Sequence, residues 1–342
     1  MGLIRPTGRT TGGTADRASD EGGRPGIRRA VTLLVLVALA ALIPLLGPPL
    51  AMDGTGEAAA PGAAGIGLLR TVLFAALCVP VGELFVRRLA AGLPGAPARR
   101  ARTWAPYAAG AGFVAALGLA SVVSTGNLVP HSLAAIDVGG LYDSRDGKLA
   151  LLEVNGFAAA GLCALSARPA TQIWPLAAVT VAEALRAHPA PELDPLTGSA
   201  LTFVHLMCAA LWVGGLLYVL RTLPLWGDAR DARVALLGLY ARVAAVLLAL
   251  ITATGIWSTL RRMPPDTVLE QLTSTAYGRT LLAKVIVVAV VAVLALWARL
   301  RLNRAPDPLT ACVPARAEVV ALGLVVAVSG LLTALPVPIR WT

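Results

Sequence analysis

Apolar stretches of about 17–25 residues alternate with short polar or basic connectors along nearly the whole chain. That is the length a helix needs to cross the hydrocarbon core of a bilayer. The pattern places candidate spans near residues 30–51, 66–86, 104–125, 149–166, 171–187, 199–220, 234–258, 280–298 and 317–338. It predicts an all-α fold, a polytopic transmembrane helical bundle of about nine helices. Residues 1–29 break the pattern, being rich in Gly, Arg and Thr, and are predicted to form a disordered cytoplasmic tail. The apolar run after them is long for the core of a signal peptide. The chain then divides into N-terminal transmembrane helices at 30–198 and a second transmembrane region at 199–342.

Composition supports the membrane reading. The chain is 57% hydrophobic and only 14% charged, with a mean hydropathy of +0.74, which excludes an ordinary soluble domain. The net charge of +10 invites a nucleic-acid partner. That reading fails because the basic residues lie in short runs between apolar stretches, where they act as topology signals. With the N-terminus in the cytoplasm, nineteen of the 29 Lys and Arg residues fall in the tail, 87–103, 166–170, 221–233 and 299–316, all inner segments. Outer segments hold six, and only the loop 259–279, with Arg261, Arg262 and Arg279, dissents. The expected location is the plasma membrane, the inner membrane of a two-membrane cell, with lipid as the surroundings. No phosphate-binding GxxxxGK[ST] run is present, and no enzyme activity is expected.

Chemistry is concentrated in three histidines, His131, His188 and His205. With this topology all three lie at or near the outer face. His131 is in the outer loop 126–148, His188 ends the span 171–187, and His205 lies about two turns into the span 199–220. Imidazole is the side chain best suited to holding a transition metal. Outer acids such as Asp53, Glu57, Glu192 and Asp194 would draw cations. An intramembrane histidine must face protein or water and find a partner. Either a metal or a neighbouring hydroxyl or carbonyl satisfies His205. On its helix Cys208 and Trp212 share its face at i+3 and i+7, and Gly214 and Gly215 allow another helix to approach closely. The four cysteines form no CxxC pair, which argues against a disulfide framework or a zinc site. Glu183 and Arg186, spaced i, i+3, suggest a local ion pair, and Lys284 and Arg279 could snorkel to the interface.

Three segments resemble one family in order and spacing. HLMCAALWVGGL (205–216) is similar to the His-x-x-x-Ala-x-x-Trp-x-Gly-Gly helix of the copper resistance protein D (CopD) family. ATGIWSTL (253–260) resembles its Thr-Gly segment, and TAYGRTLLAKV (275–285) its Tyr-Gly-Arg-x-Leu-Leu-x-Lys entry into the next helix. The resemblance covers roughly 200–338 and marks 199–342 as a CopD-like transmembrane domain, with a looser echo at 70–90.

The resemblance implies a polytopic inner-membrane protein that binds copper at its extracytoplasmic face and transports it, in the direction of import, or serves copper homeostasis. It maps the family's histidines onto His205 and His188, the latter in an Ala-His-Pro setting here instead of Gly-His-Ala. Copper, as Cu(I) or Cu(II), would then be held by His188 and His205, with Met207, Cys208 or His131 in reserve. Thioether and thiolate favour Cu(I), and imidazole accepts both states. A periplasmic copper-binding protein is the partner implied. Two other functions stay open: a membrane redox protein with haem between two histidines, and a factor delivering copper to a respiratory oxidase.

Overall fold

A computed structural model of the chain describes residues 25–58, 61–126, 129–130, 132, 134, 136–263, 265–304 and 307–336. His131 and most of the expected tail lie outside the described residues. The chain packs as two units, residues 1–39 and residues 40–342. Everything below concerns the second.

Among the described residues there are eleven helices and no strand: α1 (Pro25–Met52), α2 (Ala63–Ala91), α3 (Ala105–Ser124), α4 (Val138–Asp143), α5 (Arg145–Leu165), α6 (Ile173–Arg186), α7 (Pro195–Thr222), α8 (Arg230–Arg262), α9 (Val268–Ser274), α10 (Ala276–Arg304) and α11 (Cys312–Leu332). Eight of them are long and apolar enough to cross a membrane. The stretch predicted at 171–187 is the exception. Its helix α6 has 14 residues, about 21 Å of rise against a hydrocarbon core of about 30 Å. A 3-10 turn over Pro169–Gln172 supplies the rest of its length. Arg145, at the start of α5, donates to the carbonyls of Leu185 and His188. Thus α6 runs back to the end of the bundle where α5 began.

Such ties define two ends. The first gathers Asp53, Arg145, the 187–194 turn, Arg261, Arg262 and Arg279, joined by arginine-to-carbonyl bonds. The opposite end joins Arg99, Ala101 and Arg102 to Trp226, Tyr218 and Arg221, and Arg230 to Asp307.

At the centre, α2 packs against α3, α7 and α11. One core forms around Leu73, Leu77, Leu119, Phe157 and Val179, and another around Trp212, Leu216, Leu236, Tyr240 and Leu322. The α2–α7 crossing is the closest kind of helix contact. A Cβ on Gly82 would overlap the backbone of Gly214, and one on Gly214 would overlap the Cys78 carbonyl. Small residues are what let two helix backbones approach this far. Outward faces keep large apolar side chains exposed, such as Val285, Ile286, Val290 and Val293 on α10. A water-facing helix would place polar residues there, whereas a lipid-facing one does not.

Buried charges are paired across helices. Arg70 of α2 holds Glu183 of α6 (Nη1 to Oε1 2.6 Å), and Arg186 of α6 holds Glu153 of α5 (2.6 Å). The local Glu183–Arg186 pair suggested by spacing is replaced by two bonds that each reach another helix. This arrangement ties α6 to both neighbours and gives each charge an opposite partner in a low-dielectric interior. Arg87 pairs with Glu83 on the same helix at 3.3 Å.

Candidate functional site

Helix α7 carries the central histidine, and its start is well specified by sequence. Asp194 caps it, accepting from the Thr197 N–H, and Pro195 occupies the first helical position. Hydrogen bonding from Thr197, through its hydroxyl first and its N–H second, lowers the Asp194 pKa. His205 then lies roughly 15 Å along the axis from Pro195.

The His205 ring borders a cavity of about 240 Å³ enclosed by α2, α7, α8, α10 and α11 near the first end. Its Nδ1 is 3.0 Å from Thr254 Oγ1 on α8. The Thr254 hydroxyl donates to the carbonyl of Leu250 at 2.7 Å. Its oxygen therefore accepts, and Nδ1 of His205 carries the proton. This leaves Nε2 with a lone pair, and among the described residues nothing bonds to it. Metal-binding histidines show this tautomeric arrangement, with one nitrogen fixed by a hydrogen-bond acceptor and the other free. Gly255 stands beside the ring. A Cβ there would sit 3.7 Å from Cε1, an ordinary contact.

His188 has a different environment. It is 2% exposed, not a loose loop residue. Nδ1 lies 2.7 Å from Glu192 Oε2 and Nε2 lies 2.9 Å from Thr202 Oγ1. A neutral ring satisfies both bonds when Nδ1–H donates to the carboxylate and Nε2 accepts from the hydroxyl. Burial, then the nearby Arg262, lower the His188 pKa below 6.5, and Glu192 opposes them. Gly198 is required here, since a Cβ at that position would run into the ring. His188 does not border the cavity, but Thr202 does. Thr202, about one turn before His205 on α7, therefore borders the cavity and bonds His188.

The remaining candidates separate. Met207 packs against the α2–α3–α5–α6 core, and Cys208 is buried in the core shared by α7, α8 and α11. Neither borders the cavity, although Cys208 was expected to lie with His205 as a deeper ligand. The sulfur that does face the cavity is Cys78 of α2. No group of three or more His, Cys, Asp or Glu suited to a metal ion occurs among the described residues. Lys284, expected to snorkel, instead lines the cavity, as do Tyr277 and Arg262. Arg262 donates to Tyr277 Oη at 3.4 Å and to the Ala187 carbonyl at 3.2 Å.

Trp212 forms the inner wall. It also borders a second cavity of about 200 Å³, with Tyr240, Glu318 and Arg299, toward the opposite end. The indole N–H donates to Glu318 Oε1 at 3.1 Å, and Tyr240 donates to the Trp212 carbonyl. Trp212 thus borders both cavities.

Long apolar helices with apolar side chains on their outward faces make this a multi-pass α-helical membrane protein. The family whose model matches, over residues 234–332, is CopD, copper resistance protein D. Over these residues the chain is similar to the CopD family. The match takes in the Thr254–Gly255 and Tyr277–Lys284 segments and begins beyond the His205 helix. No curated protein and no solved structure matches the chain.

Proposed function

We propose that this protein binds copper at the first end of the bundle, on the extracytoplasmic face of the plasma membrane, and imports it. The observation that carries the reading is that His205 borders the cavity and bonds Thr254 of the matched family segment through Nδ1, which leaves Nε2 as the nitrogen to meet a metal. An imidazole nitrogen and the Cys78 thiol give the cavity a donor set suited to Cu(I). His188 joins as a ligand only when Thr202 releases its Nε2, with His131 in reserve. Met207 and Cys208 sit behind the cavity wall, as reserve ligands at most. The N-terminus lies in the cytoplasm, and a periplasmic copper-binding protein delivers the ion.

The test is metal analysis of the purified protein together with whole-cell copper content. The wild type is expected to retain copper and raise cellular copper, while His205→Ala loses both. Replacing His188 and His205 together abolishes accumulation. Unchanged uptake in the double variant refutes the assignment. Unchanged cell copper with lowered oxidase activity replaces import with delivery to an oxidase.

A further inference from the structure

Three half-buried arginines in this bundle hold buried carboxylates: Arg70 with Glu183, Arg186 with Glu153, and Arg87 with Glu83. The His205 cavity departs from that pattern. Lys284 and Arg262 both border it, and among the described residues no Asp or Glu does. Lys284 makes no hydrogen bond or ion pair among the described residues, and it is near enough to His205 for a direct coulombic interaction. Arg262 bonds only neutral oxygens, those of Tyr277 and Ala187. Of the acids at this end, Glu192 holds His188 and Asp194 faces Arg261 at 3.8 Å, and neither borders the cavity. The Cys78 thiol carries no charge unless it gives up its proton.

Two cations beside one water-excluding cavity repel each other and any incoming cation, and each bears a desolvation cost that only an opposite charge offsets. Arg70, Arg87 and Arg186 each have such a partner, whereas among the described residues no carboxylate borders this cavity. The cavity, at about 240 Å³, has room for a small ligand. Ser258 lines it with a hydroxyl that makes no hydrogen bond among the described residues, a ready donor to an anion.

We propose that the His205 cavity is an anion site, in which a small monovalent anion, a halide or the carboxylate of a small organic acid, sits between Lys284 and Arg262. This inference does not depend on copper. If copper does enter, the anion lets it approach His205 without facing two uncompensated positive charges.

The experiment is isothermal titration of the full-length protein in lipid nanodiscs, without copper, in a zwitterionic buffer whose ionic strength is held constant with sodium sulfate. Sodium chloride is one titrant and sodium acetate the other. Saturable heat with either one supports the site and names its source. Lys284→Met is expected to weaken that binding by about ten-fold or more, with Lys284→Arg retaining it. Arg262→Gln weakens it as well and serves if the methionine variant fails to assemble. No saturable binding of either anion to the wild type overturns the proposal, as does wild-type affinity in a folded Lys284→Met or Arg262→Gln protein. Because copper is absent throughout, failure here leaves the copper reading standing, and loss of copper binding in His205→Ala leaves this one standing.

Discussion

At the scale of single residues, the protein's chemistry depends on which nitrogen of each imidazole carries the proton. Thr254 decides this for His205 because its own hydroxyl proton is committed to the Leu250 carbonyl. Thr254→Val keeps the shape and removes the acceptor. Loss of such a supporting bond costs about 10–100-fold in metal affinity. We expect Thr254→Val to weaken copper binding in that range in a chelator competition, and Thr254→Ser to restore it. His188 gives a pH prediction. Its folded pKa is depressed from 6.5, by burial first and Arg262 second. The unfolded chain therefore takes up a proton near pH 6.5 that the folded chain resists, so the stability present above that pH is lost as pH falls below it. The wild-type melting temperature should drop between pH 7 and 5 more than that of His188→Gln. An equal drop in both removes His188 from the account. His205 was legible in sequence, since an imidazole inside an apolar span must face a polar interior. The burial of His188 was not, because it depends on Glu192 one turn on and Thr202 on the next helix, both meaningful only once the turn closes.

At the scale of helices, the period and length of the apolar runs were legible, and the glycines at 214 and 215 marked a close crossing. The neighbour was not legible. It is α2, through Gly82 and Cys78, and no periodicity within α7 names it. Gly214→Ala forces a methyl group into the Cys78 carbonyl. Overpacking of this kind costs typically about 1–3 kcal/mol, here with backbone on the far side and little room to yield. Because Cys78 borders the cavity, the same change should also disturb copper binding. A Gly214→Ala protein with wild-type stability in a denaturant titration would show that α2 and α7 pack further apart than described. Lys284 is the other lesson at this scale. A lysine near a helix end is ordinarily expected to snorkel. On α10 the outward face is a run of valine and isoleucine, and Lys284 occupies the inward face, so its charge goes into the bundle.

At the scale of the whole molecule, sidedness governs everything said about import. The basic residues of the connectors indicated it, apart from the loop 259–279. Its arginines have another use. Arg261 holds the Leu193 and Asp194 carbonyls, Arg262 the Ala187 carbonyl, and Arg279 the Asp53 and Thr273 carbonyls. Arginines that tie a loop to its neighbours are fixed by folding, and they say little about which side of the bilayer the loop occupies. In the orientation proposed above, residues 187–194 lie outside and 221–230 inside. A background with all four cysteines replaced, carrying either Ala190→Cys or Asp228→Cys, tests this with a membrane-impermeant maleimide on intact cells or spheroplasts. Cysteine at 190 should label at once, and cysteine at 228 only after the membrane is opened. The reverse would put the His205 cavity on the cytoplasmic side and turn import into export. In the same orientation Trp212 borders both an outer and an inner cavity. Trp212→Ala removes the indole and its bond to Glu318, joining the two spaces. Proteoliposomes carrying that variant should pass copper down a gradient faster than the wild type while holding it less tightly. An unchanged rate would mean that the route, if there is one, does not run past this indole.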